Sequence, residues 1–521
     1  MNRREFLEVI GAVTVAGGSG AVRAAPAVSA ADFDPSEKSI AELSRAQAQG
    51  GLGAEALTRS YLRRIERYDR RGPKLGAVLA VNPEAVGAAR LLDAERRAGK
   101  VRGPLHGIPL LIKDNIETLD PLPTTAGSLA LAAARHSVDA PMVARLRAAG
   151  AVVIGKANLS EWANFRSTRS VSGWSGVGGQ TRCPYDPTRN PSGSSAGPAA
   201  GAAANLCAAA IGSETDGSIL APASLNGLVG LKPTVGLVSG VGVVPITARQ
   251  DTTGPMTRTV ADAALLIAVM AEPTVKWDGI AAVESAPKGL RLGVLPPPSS
   301  THPEVLSQSK EWFKLLEREG FTLVEVPSPK GWSTLLDDEL EVLLWDFKAE
   351  LNTYLARFNG TLPVRTLADL IEFNNQHAAA EMPFFGQELF VESQARAART
   401  SPAYVKALRH ILDVADAQGL SAIFARYKVD ALVASGNGPA ELIDDVWGDR
   451  YENSGGWPPM CSAAAVAGWP SLTVPAGFVL GLPVGIHFVA PRFREGRLLQ
   501  IGRSFERARN ARRPPDLEAH V

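Results

Sequence analysis

The chain of 521 residues carries 54 Lys and Arg against 53 Asp and Glu, which gives a formal net charge of +1. Its 45% hydrophobic and 21% charged residues are typical of a globular protein with a sizeable core. The even charge, without a long basic or acidic run, argues against a nucleic-acid partner. Three cysteines without a CxxC spacing argue against a disulfide framework and a zinc site.

The first 30 residues have the pattern of an export signal. Arg3 and Arg4 precede a short apolar stretch from Val9 to Val22, and small residues follow it. This order is typical of a twin-arginine signal, and the stretch is too short and too weakly apolar for a stable membrane span. We expect residues 1–30 to be this signal, the protein to be exported to the periplasm, and residues 31–521 to form one domain. The alternative is an ordinary start with a chance arginine pair.

Helix and strand patterns alternate in the first part of this domain. Apolar residues at spacings of three and four predict helices, and short apolar runs predict strands. The predicted helices are 39–48, 53–68, 83–98 and 142–149, and the predicted strands are 75–81, 108–112 and 151–154, the last ended by Gly155. Alternation of this kind favours an α/β layered sheet.

Residues 167–195 interrupt this alternation. They consist largely of Gly, Ser, Arg, Pro and Asn and show neither the helical nor the strand period. Loops of this length in a compact domain usually serve a site. Pro198 then begins a predicted helix of small residues, 199–210, because proline suits the first helical turn. A buried strand is predicted at 228–231.

Residues 280 to about 400 are less patterned and predict an insert. Its segment 378–389 contains Met382, Phe384 and Phe385, which either line a pocket or pack in the core. Strands are predicted at 290–295 and 321–326 around a helix at 303–319, then a long helix at 333–358, strands at 431–434, 471–475 and 483–489, and a closing helix at 497–508.

Three residues of the chain are sufficient for acyl transfer without histidine. Lys113 follows the buried strand 108–112, and Ser194 and Ser218 each lie in a glycine-flanked turn. A serine hydroxyl needs a base to become a good nucleophile. Burial lowers the pKa of an amine, so that Lys113 would accept the proton of Ser218 through Ser194.

The turn around Ser218 also offers backbone donors. Glycine permits backbone conformations that other residues resist. The N–H groups of Thr215, Asp216, Gly217 and Ser218 would then point inward as an anion-binding nest. Such a nest is a candidate oxyanion hole.

The residues alone leave other interpretations open. Lys113 equally fits a buried ion pair with Asp114, and Ser-Gly turns also occur as plain turns. The stretch Gly193–Gly197 fits the G-x-S-x-G elbow with Ser195 as the nucleophile. That elbow needs a strand directly before it, and residues 185–192 contain two prolines that exclude a central strand.

The order and spacing of these residues resemble the amidase signature family. Its members have a lysine in a Gly-(Ile/Val)-Pro-x-x-x-Lys-Asp stretch, a Gly-Ser-Ser-x-Gly turn, and a second serine turn 24 residues beyond the first catalytic serine. Lys113, Ser194 and Ser218 fall on the three catalytic positions of the family. The resemblance extends over residues 38 to 510.

This resemblance implies an α/β fold in a single large domain, with a mixed β-sheet core covered by helices on both faces. It implies a serine amidohydrolase that cleaves a carboxamide C–N bond through an acyl-enzyme on Ser218, with no cofactor and no metal. It also implies a cis peptide bond between Gly193 and Ser194. We expect Ser195 to support its turn, and Asp114 and Asp251 to hold loops of the site by accepting backbone N–H bonds.

Two departures from the family pattern bear on the substrate. Asp216 stands where many members have glycine, and Leu220 stands where many have arginine. The motifs are closest to those of bacterial peptide amidases, which remove the C-terminal amide from peptides. The missing arginine argues against a small dicarboxylic amide, whose carboxylate needs a cation. An aryl acylamidase, an esterase, a carbamate hydrolase and a catalytically silent binding homologue stay open, as does the oligomeric state.

Overall fold

The computed structural model describes residues 33–287, 289–358, 361–449 and 457–521. The predicted export signal at residues 1–30 therefore lies outside the described residues. Within the described ranges, no helix combines the length and the apolar character that crossing a membrane requires.

One mixed sheet of eleven strands forms the centre of a single α/β domain. The strands of the described chain are β1 (Val78–Val81), β2 (Ile108–Lys113), β3 (Ala151–Ala157), β4 (Trp174–Ser175), β5 (Gly179–Gln180), β6 (Ala209–Glu214), β7 (Val229–Lys232), β8 (Thr252–Thr257), β9 (Arg291–Val294), β10 (Thr322–Glu325), β11 (Ala431–Ser435), β12 (Ser471–Val479) and β13 (Leu482–Val489). The sheet order is β1-β3-β2-β6-β8-β7-β12-β13-β11-β9-β10, and β4 and β5 form a separate ribbon. Strand β2 is parallel to β3 and β6, and β9 is parallel to β10 and β11, whereas the other neighbours are antiparallel.

Helices pack on both faces of this sheet. They are α1 (Ile40–Ala48), α2 (Ala54–Arg64), α3 (Ala85–Arg97), α4 (Pro141–Ala148), α5 (Ala196–Ala203), α6 (Leu220–Leu225), α7 (Val260–Met270), α8 (Pro303–Arg318), α9 (Leu335–Ala356), α10 (Leu367–Gln376), α11 (Ala378–Glu381), α12 (Glu388–Ala395), α13 (Pro402–Leu412), α14 (Ser421–Tyr427), α15 (Pro459–Val466) and α16 (Glu495–Arg509). On β12 the side chains alternate between faces. Leu472 and Val474 face Gly502 of α16, whereas Thr473 faces the side of Ser224 in α6. The mixed sheet with helices on both faces confirms the predicted fold class.

The predicted helix at 199–210 is wrong in its second half. Helix α5 ends at Ala203, Asn205 has a positive φ of 57°, and residues 209–214 form strand β6, which is buried between β2 and β8. A run of buried small residues has no periodicity that separates helix from strand. Pairing with two neighbouring strands therefore outweighs the helix propensity of alanine.

The predicted end of β3 at Gly155 is also wrong, because the strand continues to Ala157. A Cβ at Gly155 would lie 2.3 Å from the carbonyl oxygen of Ala80 in β1. The glycine therefore permits close approach of two backbones inside the sheet and does not end the strand.

The segment 378–389 is helical over α11 and over its last two residues, which begin α12, and Phe385 is buried whereas Phe384 is 43% exposed. The rings of Phe384 and Phe385 meet the indole of Trp174 edge-on, with ring centroids 5.8 and 5.2 Å apart. The guanidinium of Arg166 lies 4.3 Å from the centroid of Phe385. This confirms the core-packing alternative for Phe385.

Candidate active site

Two parallel strands bring the central residues of the site to one edge of the sheet. Strand β2 ends at Lys113 and its neighbour β6 ends at Glu214, with Ile112 opposite Ile211. Parallel strands end at the same edge, and ligands of open α/β sheets bind beyond the carboxyl ends of the strands. The Lys113 side chain and the residues that end β6 therefore meet there.

The Lys113 amine is fully buried and hydrogen-bonded to two serines. Its Nζ lies 2.8 Å from Ser194 Oγ and 2.9 Å from Ser213 Oγ, and it donates to the carbonyl oxygen of Ser213 at 3.2 Å. Asn115 Nδ2 donates to the same Ser213 hydroxyl at 2.9 Å. Three acceptors thus fix the lysine head, and one of them is the Ser194 hydroxyl.

Burial governs the protonation of this amine. It lowers the pKa of Lys113 to about 7, although the negative charges of Glu214 and Asp251 raise it in part. In the described chain no carboxylate forms an ion pair with Lys113. The predicted alternative, an ion pair with Asp114, is wrong because Asp114 Oδ1 lies 3.4 Å from Lys156 Nζ. Near pH 7 a sizeable fraction of Lys113 is therefore neutral and able to accept a proton.

Ser194 is placed by a closely packed turn. The peptide bond between Gly193 and Ser194 is cis, as the resemblance implies. A Cβ at Gly193 would lie 2.2 Å from Ser160 Oγ, so only glycine fits there. The Ser194 carbonyl accepts from the Ser160 N–H at 3.1 Å. Ser195 joins the turn to β6, because its hydroxyl donates to the Ser213 carbonyl at 3.0 Å.

Ser218 lies in a sharp turn between β6 and α6. Glu214 Oε2 accepts from the N–H groups of Ile219 and Leu220 at 2.7 and 3.0 Å, which folds the chain back on itself. Gly217 has a positive φ of 78°. The Ser218 carbonyl accepts from the Ser195 N–H at 3.1 Å, which ties the two serine turns together.

The backbone of this turn keeps donors available. The N–H groups of Asp216, Gly217 and Ser218 have no hydrogen-bond acceptor among the described residues. Consecutive free N–H groups form an anion-binding concavity. The carbonyl of the preceding residue, Thr215, accepts from Gln250 Nε2 at 3.3 Å.

Asp251 holds the neighbouring loop. It accepts from the Thr215 hydroxyl at 2.6 Å and from the N–H groups of Ile246 and Thr247 at 2.8 and 3.0 Å. Burial raises the pKa of this carboxyl to about 7. Asp114 has a similar role on the other side, since it accepts from the Thr125 N–H at 3.0 Å. Both aspartates therefore accept the backbone N–H bonds expected of them.

A cavity of about 430 Å³ opens in front of Ser218. Its lining includes Gly193 and residues 215–218, with apolar walls from Leu336, Leu340 and Leu343 of helix α9. Ser218 is 8% exposed, whereas Ser194 is fully buried. Of these two serines, Ser218 is thus the one that a molecule in the cavity reaches. The volume of the cavity is in the range of small-ligand pockets.

Comparisons with known proteins show the family of the chain. A family model described as Amidase matches residues 56–499. The chain belongs to the amidase family. The native peptide amidase of Stenotrophomonas maltophilia is 44% identical with a TM-score of 0.88, over 93% of this chain and 100% of that one.

Two further relatives of this amidase are less similar in sequence. A probable amidase of Arabidopsis thaliana is 37% identical over 505 residues, 93% of this chain and 92% of that protein. The crystal structure of an amidase family protein from Bacillus anthracis is 33% identical with a TM-score of 0.80, over 92% of both chains. The chain is thus a hydrolase that acts on amide C–N bonds, of the serine amidohydrolase type.

Sequence reasoning did not identify three residues of this amidase site. Ser213 holds the lysine head, Asn115 donates to the Ser213 hydroxyl, and Glu214 shapes the Ser218 turn. The signal for Ser213 and Glu214 was their place at the end of β6, directly before the turn. For Asn115 it was the position two residues beyond the lysine, because residues that directly follow parallel strands gather at one edge.

Proposed function

We propose that this amidase removes the C-terminal amide from peptides, with Ser218 as nucleophile, Ser194 as proton relay and Lys113 as base. The observation that carries the proposal is the 2.8 Å contact between the buried Lys113 amine and Ser194 Oγ, beside a cavity that exposes Ser218. A neutral amine in contact with a hydroxyl is a competent general base.

The proposed reaction begins with a proton relay. Ser194 gives its proton to the neutral Nζ of Lys113 and takes the proton of Ser218, whose Oγ attacks the amide carbon. The oxyanion that forms accepts hydrogen bonds from the free N–H groups of residues 216–218, and the N–H of Thr215 is the fourth donor that the sequence predicts.

Collapse of the tetrahedral intermediate reverses the relay. The proton on Lys113 returns through Ser194 to the departing nitrogen, and the C–N bond breaks to leave an acyl ester on Ser218. Water then enters, gives a proton to Lys113 by the same route and attacks the ester carbon. The carboxylic acid leaves, Ser218 recovers its proton, and no other reactant is needed.

The similarity to peptide amidases and the dimensions of the cavity support the substrate class. The leaving group of a terminal carboxamide is ammonia, so the cavity of about 430 Å³ must hold the acyl portion. That volume suits a short peptide end better than a minimal acyl group. The acyl portion of a peptide amide carries amino-acid side chains, and the apolar walls from α9 can bury those that are nonpolar.

The direct experiment measures product release from a matched set of substrates: a peptide amide, an anilide and an ester with the same acyl group, and a carbamate of similar size. We expect ammonia from the peptide amide at the highest kcat/KM. Ser218→Ala abolishes turnover and labelling by a fluorophosphonate, while exposed Ser300→Ala, outside the cavity lining, changes neither. Full turnover in Ser218→Ala contradicts the mechanism, and a preferred anilide, carbamate or ester contradicts the substrate class.

For the N-terminus we propose export through the twin-arginine route, on the basis of Arg3, Arg4 and the apolar stretch that follows. The double substitution Arg3→Lys/Arg4→Lys keeps the charge and removes the arginine pair. We expect it to leave the protein in the cytosolic fraction, while the unchanged chain reaches the periplasm. If the variant and the unchanged chain divide in the same way between the cytosolic and periplasmic fractions, the proposal is contradicted.

A further inference from the structure

The cavity in front of Ser218 is acidic. Its described lining contains four carboxyl side chains, Asp216, Glu339, Glu441 and Asp449, and no Lys, Arg or His. Outside the lining, Arg249 pairs with Asp346 at 2.6 Å, and the buried Lys232 ammonium lowers the pKa of Asp216 in part. The described lining itself therefore offers carboxyl groups and no cationic side chain to a substrate.

Two of the four carboxyls lie at the catalytic end of the cavity. Asp216 is two residues from Ser218, and Glu339 projects from α9 and is 2% exposed. Gln250 Nε2 donates to Glu339 Oε1. Burial raises the pKa of the Glu339 carboxyl well above its usual range, and the neighbouring charge of Asp216 raises it further. Burial also raises the pKa of the Asp216 carboxyl, but hydrogen bonds from Ser462 and Glu339 and the charge of Lys232 oppose that rise. The proton of the pair therefore lies on Glu339, and Asp216 keeps the negative charge.

Two acceptors in this lining have no partner among the described residues. Oδ1 of Asp216 is one. Oδ1 of Asn437 is the other, and its side chain is 4% exposed. Buried acceptors of this kind are normally hydrogen-bonded. A ligand that completes both must bring donors, and the charge of Asp216 favours donors on a cation.

The rest of the lining is apolar, including Leu225, Ile246 and Leu389 in addition to the leucines of α9. An aliphatic chain with a charged head fits such a surface, because its methylene groups pack against apolar side chains while the head reaches a polar group. Lysine and arginine side chains have this form. A carboxylate of the same length would be repelled by Asp216.

We propose that the acyl portion of the substrate carries an ammonium or guanidinium group, which Asp216 and Asn437 bind. The inference rests on the proposed function, because it assigns the cavity to the acyl side of a carboxamide. It makes this enzyme an amidase selective for basic peptide amides over neutral and acidic ones.

The test uses two series of substrates, acetyl-Gly-X-amide and acetyl-X-Gly-amide, in which X is lysine, norleucine or glutamate. Norleucine has the lysine stem without the charge. Ammonia release gives kcat/KM for each. A hydrogen bond to a charged group corresponds to about tenfold or more, so we expect at least about tenfold preference for lysine over norleucine in one series. Glutamate is disfavoured in that series, and the lysine preference falls as salt is added.

Two variants test whether the negative charge of the Asp216–Glu339 pair, and not its shape, causes the preference for lysine. Glu339→Gln replaces a neutral carboxyl by a neutral amide, so the ratio of lysine to norleucine kcat/KM persists. The double variant Asp216→Asn/Glu339→Gln removes the charge of the pair, and the ratio falls towards one. Exposed Glu311→Gln, paired with Lys314 away from the cavity, leaves the ratio unchanged. Norleucine turnover is the reference within each variant.

Each outcome is decisive. Equal kcat/KM for lysine and norleucine in both series, or a preference that survives in the double variant, overturns the proposed cation site while the amidase mechanism stands. Absence of ammonia release from every amide in the set contradicts the proposed function itself.

Discussion

The Lys113 amine lies 2.8 Å from the Ser194 hydroxyl, and no described carboxylate is ion-paired with it. A buried lysine in an ion pair would stay charged and could only donate. Burial lowers the pKa of this lysine to about 7, and its hydrogen-bond partners are neutral. The contact therefore joins a hydroxyl to an amine that is able to change its protonation state at neutral pH.

We expect Lys113→Met to lower kcat by about 10⁴-fold or more, which is the usual cost of removing the base of a serine nucleophile. The near-matched apolar side chain fills the buried site, so the circular dichroism spectrum and the cooperative melting transition persist. Lys113→Arg does not restore turnover, because a guanidinium stays protonated at every accessible pH. Recovery of activity with arginine contradicts the role of Lys113 as base.

The pH profile provides a second prediction. Lys113 accepts a proton only when neutral, so kcat/KM for a neutral peptide amide falls as pH drops below about 7. The measurement is initial rates of ammonia release from pH 5 to 9, with the fold monitored at each pH. A profile that is flat through pH 7 shows that the titration of this amine does not limit the reaction.

Asp251 shifts that profile in a predictable direction. Its negative charge raises the pKa of Lys113. Burial raises the pKa of Asp251 to about 7, so its charge is only partly present in the acid limb. Asp251→Asn removes that charge, so the pKa of Lys113 falls, and we expect a small shift of the acid limb of kcat/KM to lower pH. Asp139→Asn is a charge-matched control at a position outside the cavity lining, and it leaves the limb in place. An acid limb that stays or moves upward in Asp251→Asn contradicts the assigned electrostatic link.

Ser213 is predicted to position the lysine head. Ser213→Ala removes the hydroxyl that contacts Lys113 Nζ at 2.9 Å and receives the Asn115 amide. Loss of one such hydrogen bond corresponds to about tenfold in rate. We expect that fall in kcat with KM little changed, and a shift in the acid limb of the pH profile. Ser213→Thr keeps the hydroxyl and restores part of kcat.

The candidate site was predicted from strand ends and glycine-flanked turns together with the family resemblance, because the local patterns alone left other interpretations open. The short apolar run before Lys113 predicts a buried strand, and the burial of its last residue follows from that strand. The turn around Ser218 is marked by its glycines. Ser194, Ser218 and Lys113 therefore lie where local patterns indicate.

Other features depend on contacts that no local pattern contains. Strand β6 looks like helix in sequence, because its alanines suit either structure and its pairing partners are about 100 residues upstream and 40 downstream in the chain. Glu339 is one of several acidic residues on α9, and only the tertiary fold places it against Asp216. The carboxyl groups that line the cavity come from segments that are far apart in the chain, so no sequence motif indicates that they lie together.

The buried ion pair between Asp114 and Lys156 supports the last prediction, which concerns stability. Both side chains are fully buried, with 3.4 Å between Asp114 Oδ1 and Lys156 Nζ, and Lys156 also donates to the Thr124 hydroxyl at 3.0 Å. Removal of one partner leaves an uncompensated buried charge, so Lys156→Met lowers the free energy of unfolding by about 3–5 kcal/mol. Lys314→Met, which breaks an exposed pair with Glu311, costs about 1 kcal/mol or less. Urea denaturation of both variants measures the difference. Equal costs for the two variants contradict the contribution assigned to the buried pair.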